Sequence, residues 1–282
     1  MKRVAIQGIA GCFHDAAARG YFAGEDLAIV ECETFNDLFD TLDSDASMLG
    51  IVAIENTIAG SLLTNHELLR RSNLTIVGET KMRISHVLCA LPGESIDTIT
   101  EVNSHPMALM QCDKFLRQHR GFNIVEKNDT AGSARDIKVN GLAGHAAVCG
   151  RYAAELYSLE LLAEGIETNK RNFTRFLIVA DPLVANDLKP RPELINKSSV
   201  EFTLPHSRGA LAKVLTILSF YDINLSKIQS LPIVGREWEY RFYVDLTFDS
   251  YVRYSQAIDA ARPLMNDFKI LGEYVECSNP AD

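Results

Sequence analysis

The chain has no run of apolar residues near the roughly 20 needed to cross a bilayer. Its first residues, MKRVAIQGIAGCFHD, lack the sustained apolar stretch of an export signal. No membrane partner is expected, and the expected location is cytoplasmic. Positive charge is in short supply. Against 37 Asp and Glu stand 28 Lys and Arg, a formal net charge of -9, which argues against a nucleic-acid partner. The six cysteines contain no C-x-x-C pair, and the seven histidines show neither H-E-x-x-H nor zinc spacing to a cysteine. Reduced thiols and no metal site are expected. There is no G-x-x-x-x-G-K-[ST], and Gly8 and Gly11 do not complete a dinucleotide fingerprint. Neither a nucleoside-triphosphate loop nor a dinucleotide-binding turn is expected.

What is present is a globular composition: 282 residues, 47% hydrophobic and 23% charged. That length suggests two domains. Up to about residue 181, apolar strand runs such as RVAIQG, LAIVECE, GIVAIEN and FNIVEK alternate with helical stretches. This is the signature of βαβ units and a mostly parallel sheet. RYAAELYSLELLA reads as one helix. The extended stretch LTIVGETKMRISHVLCAL and the late strand TRFLIVA interrupt the alternation. They predict a two-lobed α/β region spanning 1–181, one lobe being roughly 1–80 with 165–181 and the other 81–164. A ligand would lie in the cleft between them. The proline-rich stretch DPLVANDLKPRPELINKS marks a linker over 182–197, expected to resist helix. The remainder, 198–282, reads β-α-β-β-α-β, a ferredoxin-like plan, with INLSKIQSLPIV and WEYRFYVDLTF as its middle strands.

Several segments share one grammar of apolar strand, polar turn and helix start. They are GIAGCFHDAAA, AIENTIAGS with Glu55, Asn56 and Thr57, VNSHPMALMQC with Ser104 as N-cap, and NDTAGSARD with Asn128, Asp129 or Thr130 as cap. Such turns gather at the carboxyl edge of a parallel sheet, where helix N-termini suit an anion. Each also reads as an ordinary capping turn, and Gln111, two helical turns beyond Ser104, as surface polarity. NKRNFTRFLIV is different. A hydroxyl, Thr174, and a fixed charge, Arg175, stand at the mouth of an apolar strand. Alternation puts Thr174 and Phe176 on one face and Arg175 on the other. The guanidinium needs a partner, either a carboxylate ligand or a carboxylate of the chain itself.

In order and spacing, VAIENTIAGS, VNSHPMALMQC, NDTAGSARDI, AAVCGRYAAELYSLELLAEGIE, NKRNFTRFLIV, GALAKVL and INLSKIQSLPIVGREWEYRFYVDL together resemble the prephenate dehydratases: a catalytic region followed by an ACT regulatory domain. The resemblance implies a cofactor-free lyase that converts prephenate to phenylpyruvate, water and carbon dioxide in L-phenylalanine biosynthesis. It implies L-phenylalanine as effector at Gly209, Ala210, Leu211, Asn224 and Leu225. The implied assembly is a homodimer or homotetramer through the ACT domains. Thr174 would be the hydroxyl at the reacting centre, and Glu55 the nearest titratable group. Asn56, Thr57, Ser104, Gln111, Thr130, Arg175 and Phe176 would bind substrate.

The chain departs from the family pattern at Cys12-Phe13-His14, where serine-phenylalanine-serine is usual, and at Met107, where glutamine is usual. Arg208 replaces a proline, and Gln229-Ser230-Leu231-Pro232 replaces glutamate-serine-arginine-proline. Arogenate dehydratase, acting on the amine counterpart of prephenate, is the near alternative. A non-catalytic two-lobed carboxylate sensor is the alternative from another class.

Overall fold

The computed structural model describes residues 1–233 and 235–278. Val234, the end of the expected strand INLSKIQSLPIV, and 279–282 at the end of the expected second domain lie outside the described residues.

Two sheets organise the chain. The larger takes β1 (Lys2–Gln7), β2 (Leu27–Cys32), β3 (Leu49–Asn56), the short β4 (Gly60–Ser61), β5 (Thr75–Arg83), β11 (Phe173–Ala180), β12 (Lys197–Thr203), β13 (Asn224–Pro232), β14 (Tyr240–Thr247) and β15 (Asn266–Tyr274). The smaller takes β6 (His86–Ala90), β7 (Glu101–Ser104), β8 (Asn123–Glu126), β9 (His145–Gly150) and β10 (Glu160–Glu164). The helices are α1 (Phe13–Tyr21), α2 (Phe35–Ser44), α3 (Leu63–Arg71), α4 (Pro106–Gln111), α5 (Asp113–Gln118), α6 (Thr130–Asn140), α7 (Arg151–Leu156), α8 (Pro182–Leu188), α9 (Ala210–Phe220) and α10 (Tyr251–Ala261).

The order in the large sheet is β13-β14-β12-β15-β5-β11-β3-β1-β2, and in the small sheet β10-β6-β9-β7-β8. The sheets are mixed rather than mostly parallel. β1 runs parallel to β2 and β3, whereas β11 is antiparallel to both β3 and β5. The stretch from Leu74 to Leu91 divides at Ile84–Ser85, with β5 in one sheet and β6 in the other. β11 returns to the first. The chain thus crosses twice between the sheets.

β3 and β11 are apolar along most of their length because both their faces are covered. Ala17 and Ala18 of α1 pack with Ile51, Ala53, Phe176 and Ile178, in a core that continues to Cys89, Ala134 and Ala147 of the smaller lobe. On the other face Leu38, Leu42 and Leu69 of α2 and α3 meet Val52, Ile54, Leu177 and Val179, together with Tyr243, Leu271 and Tyr274 from the C-terminal strands. Those strands, with α9 and α10 on one face, form the split βαβ arrangement and bury a core of their own.

Three local expectations are corrected. RYAAELYSLELLA is not one helix: α7 stops at Leu156, Ser158 takes φ 52, and Glu160–Glu164 pairs as β10. Ser158's left-handed backbone breaks the helical run. The linker does hold a helix, α8, because Pro182 sits at its start, where no N–H is needed, and Asp181 caps Leu183 N. Ser104 is not an N-cap. It ends β7, and His105 Nδ1 accepts from Met107 N instead.

Candidate active site

A cleft of about 420 Å³ lies between the two lobes. The larger lobe contributes Gln7, Cys12, Phe13, His14, Ala53, Asn56, Leu62, Thr174 and Phe176 to its walls. The smaller contributes His86, His105, Met107, Gln111, Asn128, Asp129 and Thr130. Cys12, His105 and Asp129 are the N-cap residues of α1, α4 and α6, so three helix starts converge here.

The centre is built where β3 meets β11. Thr174 pairs with Asn56 and Arg175 with Glu55, but Phe176 pairs with Ala53, leaving Ile54 as an extra residue in β3. Strict alternation would send Ala53 and Asn56 to opposite faces. The bulge brings both to the cleft, a common device beside sites.

One hydrogen-bond chain fixes the polar atoms. Asn56 Oδ1 accepts from the backbone N–H groups of Ile58 and Ala59, both at 2.9 Å. Its Nδ2 must therefore face the other way, donating to Asn172 Oδ1 at 2.8 Å and Thr174 Oγ1 at 2.9 Å. Asn172 Nδ2 then donates to Gln111 Oε1 at 3.0 Å, and that oxygen also takes the hydrogen of His86 Nε2 at 3.0 Å. Because backbone donors anchor the first amide, every later orientation follows. Two consequences matter. The Thr174 hydroxyl accepts from Asn56 and keeps its own hydrogen for the cleft. Gln111 has its oxygen engaged and its NH₂ left for a ligand.

Two of the imidazoles, His14 and His86, are held neutral. Burial lowers the pKa of His14 to about 4 and outweighs the Gln111 contact in lowering that of His86. The Cys12 thiol is pushed up to about 12 by burial, which makes it a poor nucleophile. Among the described residues, no group of three or more His, Cys, Asp or Glu is placed to hold a metal ion.

Thr174, Asn56, Gln111, Thr130 and Phe176 are thus brought together at the cleft. Four expected site residues are not. Arg175, expected to bind substrate, points away from it. Its Nε donates to Glu79 at 2.6 Å, Nη2 to Tyr274 Oη at 3.0 Å, and Nη1 to Asp245. Every guanidinium nitrogen is engaged behind the strand, toward the C-terminal strands. Glu55, expected to be catalytic, is on that same far face, with its carboxylate 3.1 Å from Lys227 Nζ. Thr57 Oγ1 accepts from Phe173 N and donates to Arg171 O, so its hydroxyl is used by the backbone. Ser104 is fully buried and donates to Val148 O at 2.5 Å.

His86 and Asn172 were not singled out as site residues. Asn172 stands inside NKRNFTRFLIV, two residues before Thr174, a position that could have marked it. His86 left no such signal. Of the expected effector residues, Gly209 adopts φ 74 ahead of α9, Ala210 and Leu211 pack against the C-terminal core, and Asn224 and Leu225 begin β13 at the sheet edge.

The family model described as prephenate dehydratase matches residues 4–182. Arogenate dehydratase 1 of Petunia hybrida is 35% identical over 292 residues, covering 96% of this chain and 66% of its own length. The chain therefore spans just under two thirds of that relative. Among solved structures, prephenate dehydratase from Arthrobacter aurescens, described as a complex with L-Phe, aligns with a TM-score of 0.84 at 26% identity, over 97% of this chain and 89% of that one. A structure described as GqqA, a novel type of quorum quenching acylase, aligns with a TM-score of 0.85 at 27% identity, over 98% of both chains. The family match takes in β1 through β11, the strands and turns that build the cleft, and the chain belongs to the prephenate dehydratase family.

Proposed function

We propose that the chain removes the ring hydroxyl and ring carboxylate of prephenate, or of its amine counterpart arogenate, to form phenylpyruvate or L-phenylalanine. The observation that carries this reading is the orientation of Thr174, whose hydroxyl accepts from Asn56 and keeps its hydrogen for the cleft. The ring-to-carboxylate C–C bond breaks, and its electron pair enters the ring. The ring C–O bond breaks and hydroxide departs, taking a proton from solvent to become water. Thr174 donates a hydrogen bond to the departing oxygen, which is stabilisation placed where charge develops. Phe13, Leu62, Ile84 and Phe176 give the cleft an apolar wall. A carboxylate beside it is poorly solvated, and its loss as neutral carbon dioxide relieves that cost. Neither the C–O nor the C–C cleavage asks for a nucleophile. The cleft suits this better than acyl transfer, because the partner of Thr174 is an amide rather than a base.

The C-terminal unit is proposed as an effector-binding ACT domain responsive to L-phenylalanine. Its strand order and the description of the Arthrobacter aurescens relative support this. The test is incubation of the full chain with each substrate. Phenylpyruvate from prephenate or phenylalanine from arogenate is expected, and the appearance of neither would sink the proposal.

A further inference from the structure

The cleft described above has an unusual charge balance for one that takes carboxylates. Among the described residues lining it there is no lysine or arginine, and the single carboxylate is Asp129. The guanidinium that the sequence places nearest, Arg175, is turned away and engaged by Glu79, Asp245 and Tyr274. Asp129 caps α6: its Oδ1 accepts from Gly132 N at 2.6 Å. Its Oδ2 lies toward Gly8 in the first turn of the opposite lobe, 3.6 Å from where a Cβ on that glycine would be. One oxygen is thus occupied by the helix, and the other stands at the boundary between the lobes.

Capping does not account for the charge, since serine or asparagine would serve that purpose about as well. Burial raises the Asp129 pKa above the ordinary carboxylate value, against the pull of the Gly132 and Ala131 N–H groups and the more distant His105 and Arg135. The carboxylate therefore lacks a close cation.

Prephenate and arogenate differ at one group. The side-chain keto group of the first is an ammonium in the second. A lone carboxylate in a cleft without cations repels the dianion and attracts the zwitterionic side chain. We propose that Asp129 is the residue that discriminates between them, receiving the substrate ammonium on Oδ2 and favouring arogenate over prephenate. This rests on the dehydratase reading of the same cleft.

The test is steady-state kinetics of the full chain on both substrates for wild type, Asp129→Asn and Asp129→Ser. Both variants keep a capping oxygen and remove the charge. Wild type is expected to favour arogenate in kcat/KM by about tenfold or more, and each variant to lower the arogenate-to-prephenate ratio by a factor of about ten, chiefly through KM for arogenate. A wild-type ratio below one overturns the assignment whatever the variants do. So does a ratio that both variants leave unchanged, or a variant that loses both activities by the same factor while melting at the wild-type temperature. If one variant fails to fold, the other and the wild-type ratio decide. Turnover of neither substrate by wild type would instead bring down the dehydratase reading, and this assignment with it.

Discussion

Asn56 donates to the Thr174 hydroxyl across the β3–β11 pair, at 2.9 Å, while its own oxygen is held by two backbone N–H groups. Thr174 can donate only because Asn56 does not accept from it. Thr174→Ala is therefore expected to lower turnover by about 100-fold or more, the scale of losing a positioned hydrogen-bond or proton donor, with little change in melting temperature. Thr174→Ser should keep most activity. Asn56→Asp supplies the sharper case. An aspartate can only accept, so Thr174 would spend its hydrogen on it. A loss comparable to that of Thr174→Ala is expected, and wild-type kcat in Asn56→Asp would remove the donor role.

Directly behind Thr174, Arg175 serves a different end. It holds Glu79 on β5 and Asp245 on β14, while Lys197 on β12 reaches Glu79 at 2.9 Å. Removing one member leaves a buried charge unpaired, which costs about 3–5 kcal/mol. Asp245→Asn and Arg175→Met should each lower stability on that scale in urea titrations. Arg175→Lys should fall between them and wild type, because an ammonium cannot make the three divergent bonds. Unchanged urea midpoints would show that the cluster contributes nothing net.

Much of the site was legible because it obeys short-range rules. Thr174, Asn56 and Thr130 stand at strand ends or helix starts, and strand parity already put Arg175 on the face opposite Thr174. What parity could not say was what lay behind. Asp245 is 70 residues from Arg175 along the chain, and Glu79 is 96, so the choice between a ligand and an internal carboxylate stayed open. Glu55 is the nearest titratable group in its motif, but adjacent residues in a strand face apart, so it lies on the face opposite Asn56. His86 was invisible because it stands at the head of an apolar run, VLCAL, with no motif around it. β10 was missed because Leu161, Leu162 and Ala163 fit a helix as well as a strand, and a single left-handed serine decided between them.

His66 gives the fold a predictable response to acid. It is buried against the Tyr243 ring, and its pKa is lowered to about 3, by burial first and then by the Lys227 charge. The folded state keeps it neutral, while the unfolded chain protonates it below its ordinary value of 6.5. Its contribution is therefore fully present above that value. It is lost progressively as pH falls toward 3, at a slope of about 1.4 kcal/mol per pH unit. Asp245 acts lower. Burial raises its pKa, but the Arg175 charge and the Ser199 hydroxyl more than offset this and leave it below the usual carboxylate range. Its contribution is present above that range and is lost as pH falls through its folded value. His66→Gln should flatten the stability profile between about pH 6 and 4 and leave the steeper loss at lower pH. A profile of unchanged slope in that window would assign the effect elsewhere.

Beside the ion network and the shared core, the junction between the C-terminal strands and the larger lobe has one close backbone approach. β15 runs parallel to β5 at Gly272 and Ile76, and a Cβ on Gly272 would stand 2.2 Å from the Ile76 carbonyl oxygen. That oxygen belongs to a backbone hemmed in by β11, so it cannot give way as a side-chain tip would. Gly272→Ala must then push β15 outward and loosen its neighbours Leu271 and Tyr274 in the shared core. A cost of about 1–3 kcal/mol is expected, typical of overpacking. It should fall on the junction rather than on either core. Calorimetry of Gly272→Ala should accordingly show unfolding broaden or split relative to wild type as the two units uncouple. Asn56 and Thr174, on strands beyond β5, should still support turnover. A transition identical to wild type in shape and temperature would mean that the C-terminal strands are not joined to the larger lobe through Gly272.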